Sequence, residues 1–239
     1  MRIILGSIAF NLFFYLWTAL VSISGAPMLV LPRRVASGVQ RFWAHGVLWA
    51  LKWLVGITYR VEGHAYAPSG PVLVAGNHQS SWETLAFYVL LDDPAYVLKR
   101  ELIWLPFFGW IGWRTGQIPI DRKGGAKALR QMLKAADKAV RQGRPVVIFP
   151  EGTRAPVGAP RPYQPGVAGL YRHLGLPVVP MAVNSGLYWG RRSFVKRPGV
   201  IRVRYLPPIP PGLDKRTFMT TLASRIETAA AQLASGNGE

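Results

Sequence analysis

The chain has 239 residues, half of them hydrophobic, with no cysteine and a formal net charge of +18. Without cysteine, disulfides, thiolate metal sites and cysteine nucleophiles are excluded, and the four scattered histidines (His45, His64, His78 and His173) show no zinc-binding spacing. The length suits one sizeable domain with an appendage; a mean hydropathy of +0.17 beside so basic a charge points to an anionic membrane surface, with nucleic acid, an acidic protein or a phosphorylated substrate as competing readings.

From Ile3 to Pro32 no charged residue occurs. The run is long enough to cross a bilayer, which takes roughly 20 apolar residues. A cleaved signal peptide is the weaker reading, because the run outlasts a usual signal core and its one small-residue site, Ser24-Gly25-Ala26, is followed by Pro27. Arg33, Arg34 and Arg41 come after it, against Arg2 before it, so the positive-inside tendency puts the downstream side in the cytoplasm. A second apolar stretch, 42–57, holds only His45 and Lys52 and is rich in Trp. It is short for a span and suits an interfacial helix or the return arm of a shallow hairpin. A pair of ordinary core helices is the alternative for both stretches. Residues 1–56 are therefore expected to be membrane-anchoring helices, spanning or lying in one leaflet, and 57–239 the body of the protein.

In the body, short β-prone runs alternate with helical ones, which predicts an α/β domain. Strands are expected at 57–63, 71–76, 95–99, 116–120, 144–149, 177–184 and 200–206. A helix is expected from Ala126 to Arg141, where Ala126, Leu129, Leu133, Ala136 and Val140 step by three and four. Its other face carries Lys127, Arg130, Lys134, Lys138 and Arg141, a stripe that reads first as a solvated face and second as a contact for anionic lipid. Another helix is expected from Lys215 to Leu233, with the tail SGNGE fraying after it.

Sites in open α/β sheets form beyond the carboxyl ends of strands. Three such ends are polar: VLVAG runs into NHQSSWET, QIPI into DRK, and VVIF into PEGTR. His78 and Glu83 are five residues apart, about 500° on an ideal helix, so they can meet only with His78 in the loop and Glu83 in the first helical turn. Glu83 could then fix one imidazole nitrogen and leave the other as a base. Ser80 and Glu83 also form S-x-x-E, a capping box, which gives the same carboxylate a purely structural explanation. In FPEGTR (149–154), Gly152 permits a tight turn, and Thr153 and Arg154 add donors for a phosphate or carboxylate. Glu151 could orient that arginine or bind a substrate hydroxyl, and Arg122 with Lys123 is a second anion-binding candidate.

In this order the segments resemble the lysophosphatidic acid acyltransferases, the PlsC-like branch of the glycerolipid acyltransferases. The N-H-x4-D block corresponds to Asn77, His78 and Glu83; the K-x-E-L block to Lys99, Glu101 and Leu102, with Asp121 and Arg122 beyond it; FPEGTR is matched in full; and V-P-x-A-V corresponds to Val179–Val183. Two departures stand out: Glu83 occupies the usual Asp position, and Ala155 stands where serine is common. Lipid A late acyltransferases share the His-acid spacing but lack FPEGTR. The resemblance covers about residues 57 to 210 and implies a mixed, largely parallel sheet flanked by helices, the glycerolipid acyltransferase fold. It implies acyl transfer from an acyl carrier protein or coenzyme A thioester to the sn-2 hydroxyl of 1-acylglycerol-3-phosphate, giving phosphatidic acid, without metal or resident cofactor. His78 and Glu83 are then the catalytic pair, and Arg122, Glu151, Gly152, Thr153 and Arg154 bind the acceptor. The implied place is a bacterial-type inner membrane, with the catalytic domain on the cytoplasmic side. A different lysolipid acceptor, such as lyso-ornithine lipid, is the close alternative. A non-enzymatic, basic membrane-binding protein is the distant one. Nucleic acid is not expected, since no binding motif occurs and the aromatics cluster with apolar residues.

Overall fold

The computed structural model describes residues 1–105 and 108–236. Every expected strand forms: β1 (Ile57–Glu62), β2 (Leu73–Gly76), β3 (Ala95–Lys99), β4 (Ile118–Ile120), β5 (Val146–Ile148), β6 (Val178–Val183) and β7 (Gly199–Tyr205). Among the described residues they make one sheet in the order β1-β7-β6-β2-β5-β3-β4. The run from β6 to β4 is parallel, β7 is antiparallel to β6, and β1 is parallel to β7. β2 and β5 are adjacent at the centre, so their carboxyl ends, and the polar clusters that follow them, share one rim.

The strands alternate their side chains between two cores, as the period of two requires. Val72, Val74, Val147 and Met181 point to one side, where helices α1 (Arg2–Ser24), α2 (Arg33–Ala50) and α3 (Trp82–Leu90) pack. Leu73, Ala75, Val146, Ile148 and Val178 point to the other, under α5 (Gly125–Arg141), α6 (Gly166–Leu174) and α7 (Lys215–Ser235). The expected helices at 126–141 and 215–233 are therefore α5 and α7, each within two residues of its predicted ends. α7 begins on Asp214, whose Oδ1 accepts from the backbone N–H of Arg216 and Thr217 at 2.9 and 3.0 Å. Such a cap contributes about 1 kcal/mol. Helix α6 and the short α4 (Phe108–Arg114) escaped the sequence reading. Pro106 and Phe107 lie outside the described residues, as do the last three residues of the SGNGE tail.

The front end needs one correction. Its second helix does not start at Phe42: α2 begins at Arg33, directly after Pro32, and passes into a π turn at Leu51–Val55. Ala36, Gln40, Trp43, Ala44, Val47 and Ala50 are buried along it, so the buried stripe extends through the polar half that hydropathy alone passed over. Arg33 and Ser37 both bond to Asp93 and tie the start of α2 to the body. α1 is held along its length as well. Ser7 Oγ accepts from the Lys196 backbone N–H at 3.0 Å, Phe10 meets Trp189 edge-on at 5.3 Å, and the Trp17 and Trp43 indoles bond across to Trp43 O and Thr18. Gly56, the last residue of the expected anchoring segment, lies in the left-handed region at φ +82° between the π turn and β1. Phe10, Val47 and Leu51 nevertheless share one apolar core with Val74, Val179 and Ile201.

Candidate active site

β2 ends on Gly76, where backbone must approach β6 closely: a Cβ there would lie 2.2 Å from Met181 Cε. Asn77 then uses its side chain as a further rung of the sheet. Its Nδ2 donates to Val183 O at 2.9 Å, and its Oδ1 accepts from the Val183 N–H at 2.8 Å. With Asn77 fixed, the chain leaves the sheet at His78, and α3 starts after Ser80 and Ser81. The His78 ring stacks on Phe149 from the end of β5, with centroids 4.2 Å apart and planes 16° from parallel.

Glu83 has no exposed surface. Its Oε1 accepts from His78 Nδ1 at 2.8 Å and from the backbone N–H of Gln79 and Ser80, both at 2.7 Å. Its Oε2 accepts from Ser185 Oγ at 2.7 Å. The same oxygen therefore makes both the backbone contact of a capping box and the contact to the imidazole. The Ser80 N–H bond is half of the capping box, and Ser80 Oγ completes a turn by accepting from Trp82 N at 3.1 Å. Burial alone would raise the Glu83 pKa, but the bonds from His78, Ser80 and Ser185 outweigh it and hold the group below its ordinary value. An ionised carboxylate can only accept, so His78 carries its proton on Nδ1 and offers Nε2 as the basic nitrogen.

The turn after β5 wraps the same loop. Glu151 Oε1 accepts the His78 backbone N–H at 3.2 Å, and Ala155 N donates to His78 O at 2.7 Å. Because Ala155 contributes its backbone, the absence of serine there leaves this clasp intact. Gly152 has φ +68°, a conformation that favours glycine, and its N–H closes the turn on Phe149 O at 2.9 Å. Glu151 is almost wholly buried, and its Oε2 has no partner. Burial, with a contribution from the Glu83 charge, pushes its pKa up to about 7. Arg154 carries a buried Nε without a hydrogen-bond partner, and burial lowers its pKa from the ordinary value. A buried guanidinium with a free donor is a ready anion site.

Two cavities meet at this turn. The first, about 410 Å³, is walled by His78, Arg122, Gly152 and Arg154 together with apolar groups that include Tyr96 and Leu102. Phe14, Thr18 and Trp43 of the two N-terminal helices complete it, so the front end is part of the site. The second, about 550 Å³, lies on the α5 side of the turn and shares Arg122, Phe149 and Gly152 with the first. Of the residues expected from sequence, His78, Arg122, Gly152 and Arg154 thus line one cavity, with Glu83 directly behind His78. Glu151 and Thr153 line the neighbouring cleft instead, and Glu151 is spent on holding the His78 backbone. Ser185, Phe149 and Gln79, whose Oε1 accepts the Gly186 N–H at 3.1 Å, were not anticipated. Ser185 follows the V-P-x-A-V strand at the same rim, and that polar strand end was the available signal. Among the described residues no cluster of His, Asp and Glu is arranged to hold a metal ion.

Comparison with known proteins gives the family and the fold. A family model described as Acyltransferase matches residues 58–184. A 1-acyl-sn-glycerol-3-phosphate acyltransferase of Pseudomonas aeruginosa is 39% identical over 178 residues, covering 74% of this chain and 69% of that protein. The human 1-acyl-sn-glycerol-3-phosphate acyltransferase alpha is 35% identical over 163 residues, covering 67% of this chain and 58% of the human protein. Among solved structures, the 1-acyl-sn-glycerophosphate (LPA) acyltransferase PlsC of Thermotoga maritima superposes with a TM-score of 0.74 over 98% of both chains. At 18% sequence identity that likeness shows the fold.

Proposed function

The chain belongs to the Acyltransferase family, and on that premise we propose that it moves a fatty acyl group from an acyl thioester to the sn-2 hydroxyl of 1-acylglycerol-3-phosphate, giving phosphatidic acid. The observation that carries this reading is the His78–Glu83 pair on the wall of an apolar cavity that also holds the guanidinium groups of Arg122 and Arg154. The apolar wall suits an acyl chain, and the two cations suit the acceptor's phosphate. His78 Nε2 takes the proton of the acceptor hydroxyl as its oxygen attacks the thioester carbonyl. The tetrahedral intermediate collapses, the C–S bond breaks, and the departing thiolate takes the proton from the imidazolium. Glu83 keeps the ring in the right tautomer and balances its transient charge, so no covalent enzyme intermediate is needed. Such a positioned base contributes roughly 100- to 10,000-fold. The donor on this reading is carried by acyl carrier protein or coenzyme A, and no resident cofactor is required.

Membrane association belongs to the same reading. α1 is long and apolar enough to cross a membrane, and Leu5, Leu12, Leu16, Phe42, Trp49 and Trp113 expose large apolar side chains on the α1–α2 side of the body. The enzyme acts at the cytoplasmic face of a bacterial-type inner membrane, since the cations that follow α1 belong to the same side as the body. The test is direct. The purified protein is given an acyl thioester with either 1-acylglycerol-3-phosphate or lyso-ornithine lipid. The phosphate-bearing acceptor should turn over much the faster. Equal or faster turnover of the phosphate-free acceptor overturns the acceptor assignment, and turnover of neither overturns the enzymatic reading in favour of a basic membrane-binding protein.

A further inference from the structure

We propose that the exposed basic face of α5 is the docking surface for an acidic acyl carrier protein, and that the cleft beside the first turn of α5 admits the carrier's acyl-bearing arm. The proposal rests on the acyl-transfer reading above and extends it to the donor. Lys127, Arg130, Lys134, Lys138 and Arg141 are all exposed on one side of the helix, and among the described residues none of them has a hydrogen-bond or ion-pair partner. The one acid in α5, Asp137, is occupied by His173 Nε2 at 2.7 Å. The stripe runs about 21 Å at the helical rise of 1.5 Å per residue, longer than the anionic end of a coenzyme can cover but suited to an acidic helix. Unpaired like charges in a row cost stability through mutual repulsion, and an acidic partner removes that cost.

Position separates this partner from a membrane. The large exposed apolar side chains of α1 and α2 lie beyond the first core, whereas α5 covers the second core on the opposite face of the sheet. A planar bilayer that takes the first face leaves α5 in water, where a soluble carrier can reach it. The 550 Å³ cleft links that face to the chemistry. Gly125, Ala126 and Leu129 of α5 form one side of it, and Phe149 and Gly152 separate it from the His78 cavity. Donor and acceptor then arrive from opposite faces of the sheet and meet at the turn between the two cavities.

The experiment compares donors on the full-length enzyme. Lys127→Gln, Arg130→Gln and Lys134→Gln are combined in one variant. Arg60→Gln, Arg192→Gln and Arg197→Gln are combined in a second, with the same loss of charge elsewhere. Each is assayed with acyl carrier protein and with coenzyme A thioesters, and each is floated with phosphatidylglycerol vesicles. The α5 variant should raise the KM for the carrier-bound donor about tenfold, keep its kcat, and change the coenzyme A values less than twofold. The second variant should match wild type with both donors. Equal slowing of both donors, no slowing, an equal effect of the second variant, or wild-type use of the coenzyme A donor alone each overturns the proposal. Loss of vesicle binding by the α5 variant assigns the stripe to the membrane and also overturns it. Wild-type inactivity with both donors overturns the acyl-transfer reading together with this one.

Discussion

The helices on the two faces of the sheet present opposite surfaces: α5 is amphipathic, whereas α1 is apolar nearly all round. α5 buries Ala128, Met132, Ala136 and Ala139 and shows lysine and arginine to the outside. α1 shows Ile4, Leu5, Ile8, Leu12, Leu16 and Leu20 to the outside and turns Ser7 and Asn11 inward. Asn11 Oδ1 accepts from Lys196 Nζ at 2.6 Å, and the same amine donates to Phe194 O at 3.0 Å. Burial pushes that amine down to about 8. α1 also buries Phe10 and Val21, so it is apolar on both faces, and a large exposed apolar patch of this kind marks a membrane or partner surface. On the reading proposed above, the contrast gives each face its solvent, lipid for α1 and water for α5.

If the two faces serve one centre, removing that centre has the largest effect of any change. His78→Ala should lower turnover about 1,000-fold with the fold retained, at a lower unfolding midpoint because the buried Glu83 loses one donor. Retained activity would leave the two faces without a common purpose. Glu83→Gln comes next, with an expected loss of about 100-fold or more, because glutamine can satisfy Ser80 N–H but cannot balance an imidazolium. A purely capping role predicts activity within a few fold of wild type, and kcat at saturating substrate separates the two outcomes. Stability should fall by about 1–2 kcal/mol, since a donor amide now faces groups that were donating to a carboxylate.

The body was legible because its strands are short, β-rich runs bounded by glycine and proline, and all of them formed where that pattern placed them. His78 with Glu83, and the FPEGTR turn, were legible because polar residues gather where strands stop. Three things were not. α2 extends back to Arg33 because its buried stripe includes Ala36 and Gln40, which hydropathy scores as neutral or polar. The part Glu151 takes follows from a backbone N–H 73 residues away in sequence, and no local pattern encodes that bond. The contribution of Phe14, Thr18 and Trp43 to the cavity is long-range as well; in the sequence they belong to two separate runs marked chiefly by apolarity.

The apolar outer face of α1 can be tested by making it polar. Leu12→Glu with Leu16→Glu places charge on the outer face, where both leucines are 62% exposed. Each fully immersed leucine is worth about 1.5–3 kcal/mol, so even partial immersion predicts a loss of vesicle partitioning of at least about tenfold. Soluble expression should improve and the unfolding midpoint should hold. The matched pair Lys134→Glu and Lys138→Glu on α5 should leave partitioning unchanged. Equal behaviour of the two pairs in flotation would remove the distinction between the faces.

The smallest effect belongs to Glu151, which stands on the boundary: it lines the α5-side cleft yet holds the loop that faces the α1-side cavity. Its pKa rises from 4.5 in the unfolded chain to about 7 in the fold. The folded state therefore binds the proton more tightly than the unfolded one. That stabilisation is fully present below pH 4.5 and is lost as pH rises through 7. The full shift would exceed 3 kcal/mol at 1.36 kcal/mol per unit, and screening by nearby solvent reduces it to about 1–2 kcal/mol. Glu151→Gln removes the titration and keeps an oxygen for the His78 N–H, so its stability relative to wild type should climb by that amount between pH 5 and pH 8. Glu83, held below its ordinary value, does not titrate in that window. Urea unfolding in detergent at the two pH values measures the difference, and parallel curves would show that Glu151 is not the group that titrates. Activity near pH 6 should stay within a few fold for Gln and fall further for Glu151→Ala, which leaves the His78 N–H unpaired and loosens the loop at the point where the two faces join.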